Sequence, residues 1–207
     1  MILERSGSLP SIAASARIAP TAQLVGNVHI GHDCVIDYGA VLASSGPPIV
    51  LARGVVVMAN AVVRSVGGKH RPAFPVEIGA DSLVGPLTAL AGCTIGEDCY
   101  IATGAMVFQG ATVGTGSRIG AGAIVHIGAT LPRESRVGMR QFAVASGAGA
   151  VITSDLDEAR KLLAEGDFFS RVFTASEPNL EALHRRAAAT VRDEVSDWSD
   201  IPPQRSQ

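Results

Sequence analysis

Aliphatic residues recur at every sixth position over most of this 207-residue chain. The column is interrupted by a few slips of register and holds 20 anchors: Ile12, Ile18, Leu24, Ile30, Ile36, Leu42, Leu51, Val57, Val63, Ile78, Val84, Leu90, Ile95, Ile101, Val107, Val113, Ile119, Val125, Leu131 and Val137. An α-helix would show a period of 3.6 residues and a half-buried strand a period of 2, so neither explains a period of six. The repeat predicts a triangular coil whose sides are short strands, each with one aliphatic residue pointing inward.

A second column, of small or short side chains, lies four residues after the anchors. It includes Ala16, Ala22, Cys34, Ala40, Ala61, Ser82, Cys99, Ala105, Ser117, Ala123 and Ala129. We expect these residues to pack at the corners of the coil. We expect a glycine that directly follows an anchor, as in Ile95-Gly96, to serve a bend with unusual backbone angles. Three rungs per coil give about seven coils of a β-class fold.

The repeat defines a domain over residues 10–143, and a tail with helical signals follows at residues 144–199. A first helix is expected to start at Ser154 as its cap, and a second near residues 176–178. The apolar face of the second helix is expected to consist of Leu180, Leu183, Ala187, Val191 and Val195. Both helices should cover the open end of the prism or a neighbouring subunit, because that end exposes strand edges. Residues 200–207 are expected to be disordered.

Charge and cysteine content exclude several classes of protein. The net charge of −2 gives no electrostatic footprint for nucleic acid. No run of 18 apolar residues is present, so no membrane span is expected. Cys34, Cys93 and Cys99 form no C-x-x-C pair, which favours reduced thiols in a cytoplasmic protein. We interpret them as packing residues.

The segment 84–96 reads V-G-P-L-T-A-L-A-G-C-T-I-G, with one step between anchors shortened to five residues. The period of six resembles the left-handed parallel β-helix of the hexapeptide-repeat superfamily. The segment itself resembles the γ-class carbonic anhydrases, which typically read V-G-H-x-x-x-L-H-G-C-x-I-G there. This resemblance covers about residues 10–140 and implies a homotrimer with sites between the prisms.

The same resemblance aligns the family's three zinc ligands with Arg64, Pro86 and Ala91. Other polar residues of that site are replaced by Met58, Ala59 and the run Ala43-Ser44-Ser45. A catalytic zinc requires three protein ligands and an open position for water. Proline and alanine offer no ligand atom, and arginine stays protonated. We therefore expect no zinc and no carbon dioxide hydration by this route.

The remaining histidines do not rebuild a metal site in the sequence pattern. His29 and His32 lie three residues apart on neighbouring rungs. His126 occupies the slot equivalent to Ala91, but two coils further along, which is about 10 Å away. We interpret all three histidines as solvated or interface residues.

Two functions stay open at this point. The first is a non-enzymatic trimeric scaffold, also as part of a larger complex, or a small-ligand-binding protein. The resemblance allows this, because γ-class-like proteins without complete zinc sites occur as assembly subunits. Phe108 lies one coil beyond Arg64 and Ala91, and such a lining predicts a dry interface or an apolar pocket gated by Arg64. A small anionic or acyl ligand would suit that pocket.

The alternative is a CoA-dependent acyltransferase, an activity common in this superfamily. The longest interruption of the repeat, residues 65–75, carries His70 between Lys69 and Arg71. His70 would act as general base on an acceptor hydroxyl or amine. Lys69, Arg71 and Arg64 would meet the phosphates of a CoA thioester.

Overall fold

Short parallel strands form the three faces of a prism in this computed structural model, which describes residues 1–69, 71–164, 172–173, 179–196 and 198. Face I is a nine-stranded sheet in the order β1 (Ile2–Leu3), β4 (Gln23–Val25), β7 (Val41–Ala43), β10 (Val62–Arg64), β13 (Ala89–Ala91), β16 (Met106–Val107), β19 (Ile124–Val125), β22 (Phe142–Ser146) and β23 (Gly149–Thr153). Face II has seven strands: β2 (Ser11–Ile12), β5 (Val28–Ile30), β8 (Ile49–Leu51), β11 (Val76–Ile78), β14 (Thr94–Ile95), β17 (Thr112–Val113) and β20 (Thr130–Leu131). Face III also has seven: β3 (Arg17–Ile18), β6 (Val35–Ile36), β9 (Val56–Val57), β12 (Leu83–Val84), β15 (Tyr100–Ile101), β18 (Arg118–Ile119) and β21 (Arg136–Val137).

The strands wind as a left-handed parallel β-helix, which confirms the fold expected from the repeat. Each strand from β2 to β21 contains one predicted anchor. The anchors from Leu24 onward are buried in one continuous apolar cluster that runs along the prism axis. Burying such a side chain contributes about 1.5–3 kcal/mol. The small residues of the second column, such as Ala22, Ala61 and Ala105, are fully buried at the corners, as predicted.

Glycines that directly follow an anchor were expected to adopt unusual backbone angles, and this reason for their presence is wrong. Gly96 is not left-handed, but a Cβ there would lie 2.5 Å from the Thr115 nitrogen of the next coil. Close stacking of coils, not an unusual φ, therefore requires this glycine. The left-handed corner residues lie three positions after the anchors instead, and include Asp33, Asn60, Asp81 and Asp98. Asp and Asn tolerate that region better than most side chains.

Both ends of the prism extend beyond the predicted repeat. β1 pairs in parallel with β4, which places Ile2 beside Leu24. β22 continues face I beyond β19, and β23 then turns back to pair antiparallel with β22. The helix α1 (Leu156–Ala164) packs against both of these strands. An Asp155 carboxylate oxygen accepts the backbone N–H groups of Asp157 and Glu158, so Asp155, and not Ser154, caps α1.

The second tail helix, α2 (Leu180–Ser196), begins after Asn179, whose side-chain oxygen accepts the Ala182 N–H at 2.9 Å. The expected start near residues 176–178 and the tail end 200–207 lie outside the described residues. Of the predicted apolar face, Leu183, Ala187 and Val195 are half-buried, whereas Leu180 and Val191 are exposed. The fully buried residues of α2 are Thr190 and Glu194, and the ion pair of Glu194 is described below. Neither helix has the length and hydropathy that a bilayer crossing requires, within the residues described.

Substituting Gly96→Ala should lower the free energy of unfolding by about 2 kcal/mol, because overpacking against a neighbouring backbone typically costs 1–3 kcal/mol. Urea unfolding of the variant checks this. Thr94→Ala on the same strand is the control, since Thr94 is exposed and such changes stay within about 0.5 kcal/mol. Equal stabilities of the two variants would contradict the role assigned to coil stacking.

Candidate functional site

Two of the three positions aligned with zinc ligands are neighbours on face I. Arg64 on β10 pairs in register with Ala91 on β13 and with Ala43 on β7. Each of these three residues is the last of its strand and directly follows the inward-pointing anchor. Their side chains therefore point outward and form one column on the face. The structure therefore brings Arg64 together with small side chains, in a column that leaves the guanidinium room.

The third position lies around the corner between faces III and I. Pro86 follows β12, and Met58 and Ala59 follow β9 one coil earlier. The Leu87 N–H donates to the Ala59 carbonyl at 3.1 Å, which stacks the two corners. Leu87 has a φ of 59° and is 64% exposed. A bulky residue in that region is unusual, and this corner presents an apolar side chain to the outside.

Three arginines lie close together beside Ala91. We call Arg5, Arg64 and Arg71 the arginine cluster. Arg5 follows β1, is 7% exposed and donates from Nη1 to the Ser44 carbonyl oxygen at 3.0 Å. Ser44 directly follows Ala43, the register partner of Arg64. Arg71 lies on the loop that follows Arg64, and the bridge between Val66 and Phe74 closes that loop.

The C-terminal tail covers Arg5 and Arg71 of this cluster, whereas Arg64 stays exposed. The Glu194 carboxylate of α2 binds Arg71 in a bidentate pair, with Nε–Oε1 and Nη2–Oε2 distances of 2.6 and 2.8 Å. The two side chains are only 8% and 5% exposed. The Trp198 ring lies 3.8 Å from the Arg5 guanidinium carbon, and the Phe173 ring lies 5.0 Å from that of Arg71. Cation–π contacts of this kind add to the ion pair.

The surroundings of Arg64 disfavour its charged form. Partial burial lowers the pKa of Arg64, and the positive charges of Arg5 and Arg71 lower it further, whereas Glu194 raises it. Arg5, Arg71 and Glu194 are therefore all within electrostatic reach of Arg64. Arg64 stays protonated, but a second negative charge beside it would be stabilised.

The loop residues suggested for acyl transfer are only partly located. His70 lies outside the described residues. Lys69 is exposed on the loop, and Arg71 is committed to Glu194 in this conformation. Arg64 ends β10 just before the same loop and belongs to the arginine cluster. Whether the four residues converge on a thioester stays a prediction.

The other histidines have separate neighbours. A ring nitrogen of His29 lies 2.8 Å from Asn27 Oδ1, and one of His32 lies 3.2 Å from Ser15 Oγ. His126 lies on the Arg64 column, with its ring centroid 5.9 Å from that of Phe108. In the part of the chain that the structure describes, no three His, Cys, Asp or Glu side chains form a group suited to a metal ion.

The thiols are buried packing groups in this structure. Cys34, Cys93 and Cys99 are all buried, and burial raises the pKa of Cys93 to about 12. Burial also raises the pKa of the other two thiols. None of the three is therefore a reactive thiolate near neutral pH.

An open groove of about 520 Å³ lies away from the motif positions, on face III. Tyr100, Arg118, Ile119, Gly120 and Val137 line it. It adds to the apolar surface that the prism exposes, and none of the aligned ligand positions contributes to it.

No protein-family model matches the chain. Over 100 residues it is 34% identical to γ carbonic anhydrase 3, mitochondrial, of Arabidopsis thaliana, which covers 46% of this chain and 38% of that protein. Over 104 residues it is 30% identical to γ carbonic anhydrase 1, mitochondrial, of the same plant, covering 48% and 37%. The match spans less than half the length of these relatives. Over that part, the predicted resemblance to γ-class carbonic anhydrases is confirmed.

A hexapeptide transferase family protein from Anaplasma phagocytophilum has a similar solved structure, with a TM-score of 0.51 and 21% identity over 93% of this chain and 97% of that one. At this identity the likeness concerns the fold alone. The fold thus defines a hexapeptide-repeat β-helix protein. Within that class the chain is similar to the γ-class carbonic anhydrases, with Arg64, Pro86 and Ala91 where the motif has ligands.

Burial lowers the pKa of His126, so unfolding takes up a proton below the unfolded value of 6.5. The stability that neutral His126 contributes is fully present above pH 6.5 and is lost as the pH falls toward the lowered folded value. We expect urea unfolding from pH 7.5 to 5 to show a smaller pH slope for His126→Gln than for the unchanged chain. His29→Gln, at an exposed site, is the matched control, and identical slopes for all three proteins would contradict the assignment.

Proposed function

We propose that this chain is a zinc-free, γ-carbonic-anhydrase-like protein that acts as a homotrimeric scaffold or small-ligand-binding protein. The observation that carries the proposal is the chemistry at Arg64, Pro86 and Ala91, where no side chain offers a nitrogen or oxygen ligand to zinc. Carbon dioxide hydration at this class of site needs a zinc-bound hydroxide, and these residues provide no ligands for the zinc. The arginine cluster supplies fixed positive charge at the same place.

The outer surface of face I supports assembly through that face. The outward residues of one register column of this face are apolar except for Gln23: Val41, Val62, Ala89, Met106, Ile124 and Phe142. Val62 and Met106 are 36% and 37% exposed in the single chain. The matching column of face II is mostly polar instead, with Ser11, His29, Glu77, Thr94, Thr112 and Thr130 beside one apolar member, Val50. A large one-sided apolar surface favours burial against another subunit.

The acyltransferase alternative keeps His70 as general base, with Lys69, Arg71 and Arg64 as the cations for a CoA thioester. The ion pair between Arg71 and Glu194 weighs against it in this conformation, because that guanidinium is already neutralised.

We also propose a cytoplasmic location, since three buried thiols with raised pKa values suit a reducing compartment.

The metal test uses purified, untagged protein. We expect far less than one zinc per chain by elemental analysis, and no carbon dioxide hydration above buffer after zinc is added. We expect CoA and acetyl-CoA to leave the melting temperature unchanged. One zinc per chain with hydration activity would overturn the proposal. A melting temperature raised by acetyl-CoA, together with acyl transfer that His70→Ala abolishes, would favour the alternative.

The assembly test uses light scattering. We expect a particle three times the 21.3 kDa chain mass. Met106→Glu should shift it toward monomer by at least about tenfold in dissociation constant, because an unpaired charge would be buried at the interface. Thr94→Glu, on the polar face II, should leave the trimer intact. A trimer that tolerates Met106→Glu would show that face I is not the interface.

A further inference from the structure

The contact between Arg71 and Glu194 has the geometry with which arginine holds oxyanions in general. Two nearly parallel N–H···O contacts of 2.6 and 2.8 Å join the guanidinium to the carboxylate. Both side chains are almost completely buried. A planar carboxylate or a phosphate oxygen pair fits the same fork. Glu194 therefore occupies a site that other anions can fill.

Arg64 adds hydrogen-bond donors to this site that the Glu194 carboxylate does not use. Within the described residues its guanidinium makes no hydrogen bond or ion pair, and more than a third of the residue is exposed. A guanidinium carries five N–H donors. Arg71 and Glu194 are close enough to Arg64 to influence its charge. A free anion beside Arg71 would therefore gain contacts to Arg64 that the single Glu194 carboxylate leaves unmade.

A buried ion pair is part of the contact that holds the tail. Leu180 and Val191 of α2 are exposed and Leu183, Ala187 and Val195 are half-buried, while Thr190 and Glu194 are its buried residues. Removing one partner of a buried ion pair is strongly destabilising, because the other charge stays buried and unpaired. An anion that pairs with Arg71 removes that penalty, so it releases α2 without leaving Arg71 uncompensated.

We propose that Arg64 and Arg71 form a binding site for a small oxyanion, a carboxylate or phosphate group, and that α2 closes this site by placing the Glu194 carboxylate on Arg71. This deepens the small-ligand-binding form of the proposed function and rests on it. Ligand binding and tail docking are then mutually exclusive, and the tail sets the apparent affinity.

Trp198 provides a direct readout, because it is the single tryptophan of the chain and stacks on Arg5 when the tail is docked. Inorganic phosphate and acetate are titrated into the full-length protein at constant ionic strength, with chloride as reference. We expect at least one of them to increase acrylamide quenching of Trp198 in a saturable way. Phosphate acting alone indicates a phosphate-bearing ligand, and acetate acting alone indicates a carboxylic acid.

Two variants separate binding from docking. Glu194→Gln should leave Trp198 open to quenching without any anion, and calorimetry should give about tenfold tighter anion binding, since the competing carboxylate is gone. Arg64→Gln should keep the docked Trp198 signal and lose the anion response. Arg53→Gln, in an exposed ion pair with Asp81 on another part of the prism, is the matched control and should behave as the unchanged chain.

Anions that act no more strongly than chloride, or an Arg64→Gln variant that binds them as tightly as the unchanged chain, would overturn this proposal. Zinc content and trimer mass are measured on the same samples. A zinc-free trimer without anion response contradicts the anion site alone, whereas bound zinc with hydration activity contradicts the proposed function itself.

Discussion

The close stacking of successive coils is the constraint on which the rest of the structure depends. Parallel strands in one face lie about 4.8 Å apart, so each residue has a fixed neighbour in the coil before and after it. Where backbones approach most closely only glycine fits, as Gly31 and Gly96 illustrate with potential Cβ contacts of 2.7 and 2.5 Å. The same stacking sets side chains in straight columns. A column decides which chemistry a face can present.

The Arg64 column shows how much follows from one such row. Where the γ-class motif has imidazoles, this chain has Arg64, Pro86 and Ala91, and Arg64 pairs in register with Ala91 and Ala43. A zinc ion and a guanidinium are both positive, but only the metal has a coordination position that activates water. Compared with a zinc site, the arginine supplies a positive charge but no Lewis acid. This difference is the basis on which we propose an anion site, and not a metal-bound water, at this position.

The sequence allowed the repetitive part of the molecule to be predicted almost residue by residue. Every anchor from Ile12 to Val137 falls in its own strand, because the period leaves one register that buries them all. β1 escaped prediction because a turn around Ser6 and Gly7 separates it from the next rung. β22 and β23 escaped because a hairpin, not a further corner, follows there.

The arginine cluster was only half visible in the sequence. Arg64 and Arg71 lie near the replaced motif and were singled out for their charge. Arg5 and Glu194 come from opposite ends of the chain, and no local pattern indicates that both reach face I. Helix periodicity points to apolar residues such as Leu180, yet Leu180 is exposed while Glu194 is buried in its ion pair with Arg71. Long-range pairing of charges leaves no periodic signal, which is why the tail's docking could not be derived.

The reversed direction of β23 has a consequence for how such a molecule can grow. A parallel solenoid offers complementary strand edges at its two ends, so copies could in principle join end to end into a filament. β23 runs against the ladder and α1 lies on it, so that terminus no longer matches the opposite one. A further parallel strand cannot be added to face I at this terminus in the register of the ladder, whereas faces II and III end there in the parallel strands β20 and β21. The two ends of the prism are therefore distinguishable, and a second copy cannot simply continue all three faces across this one.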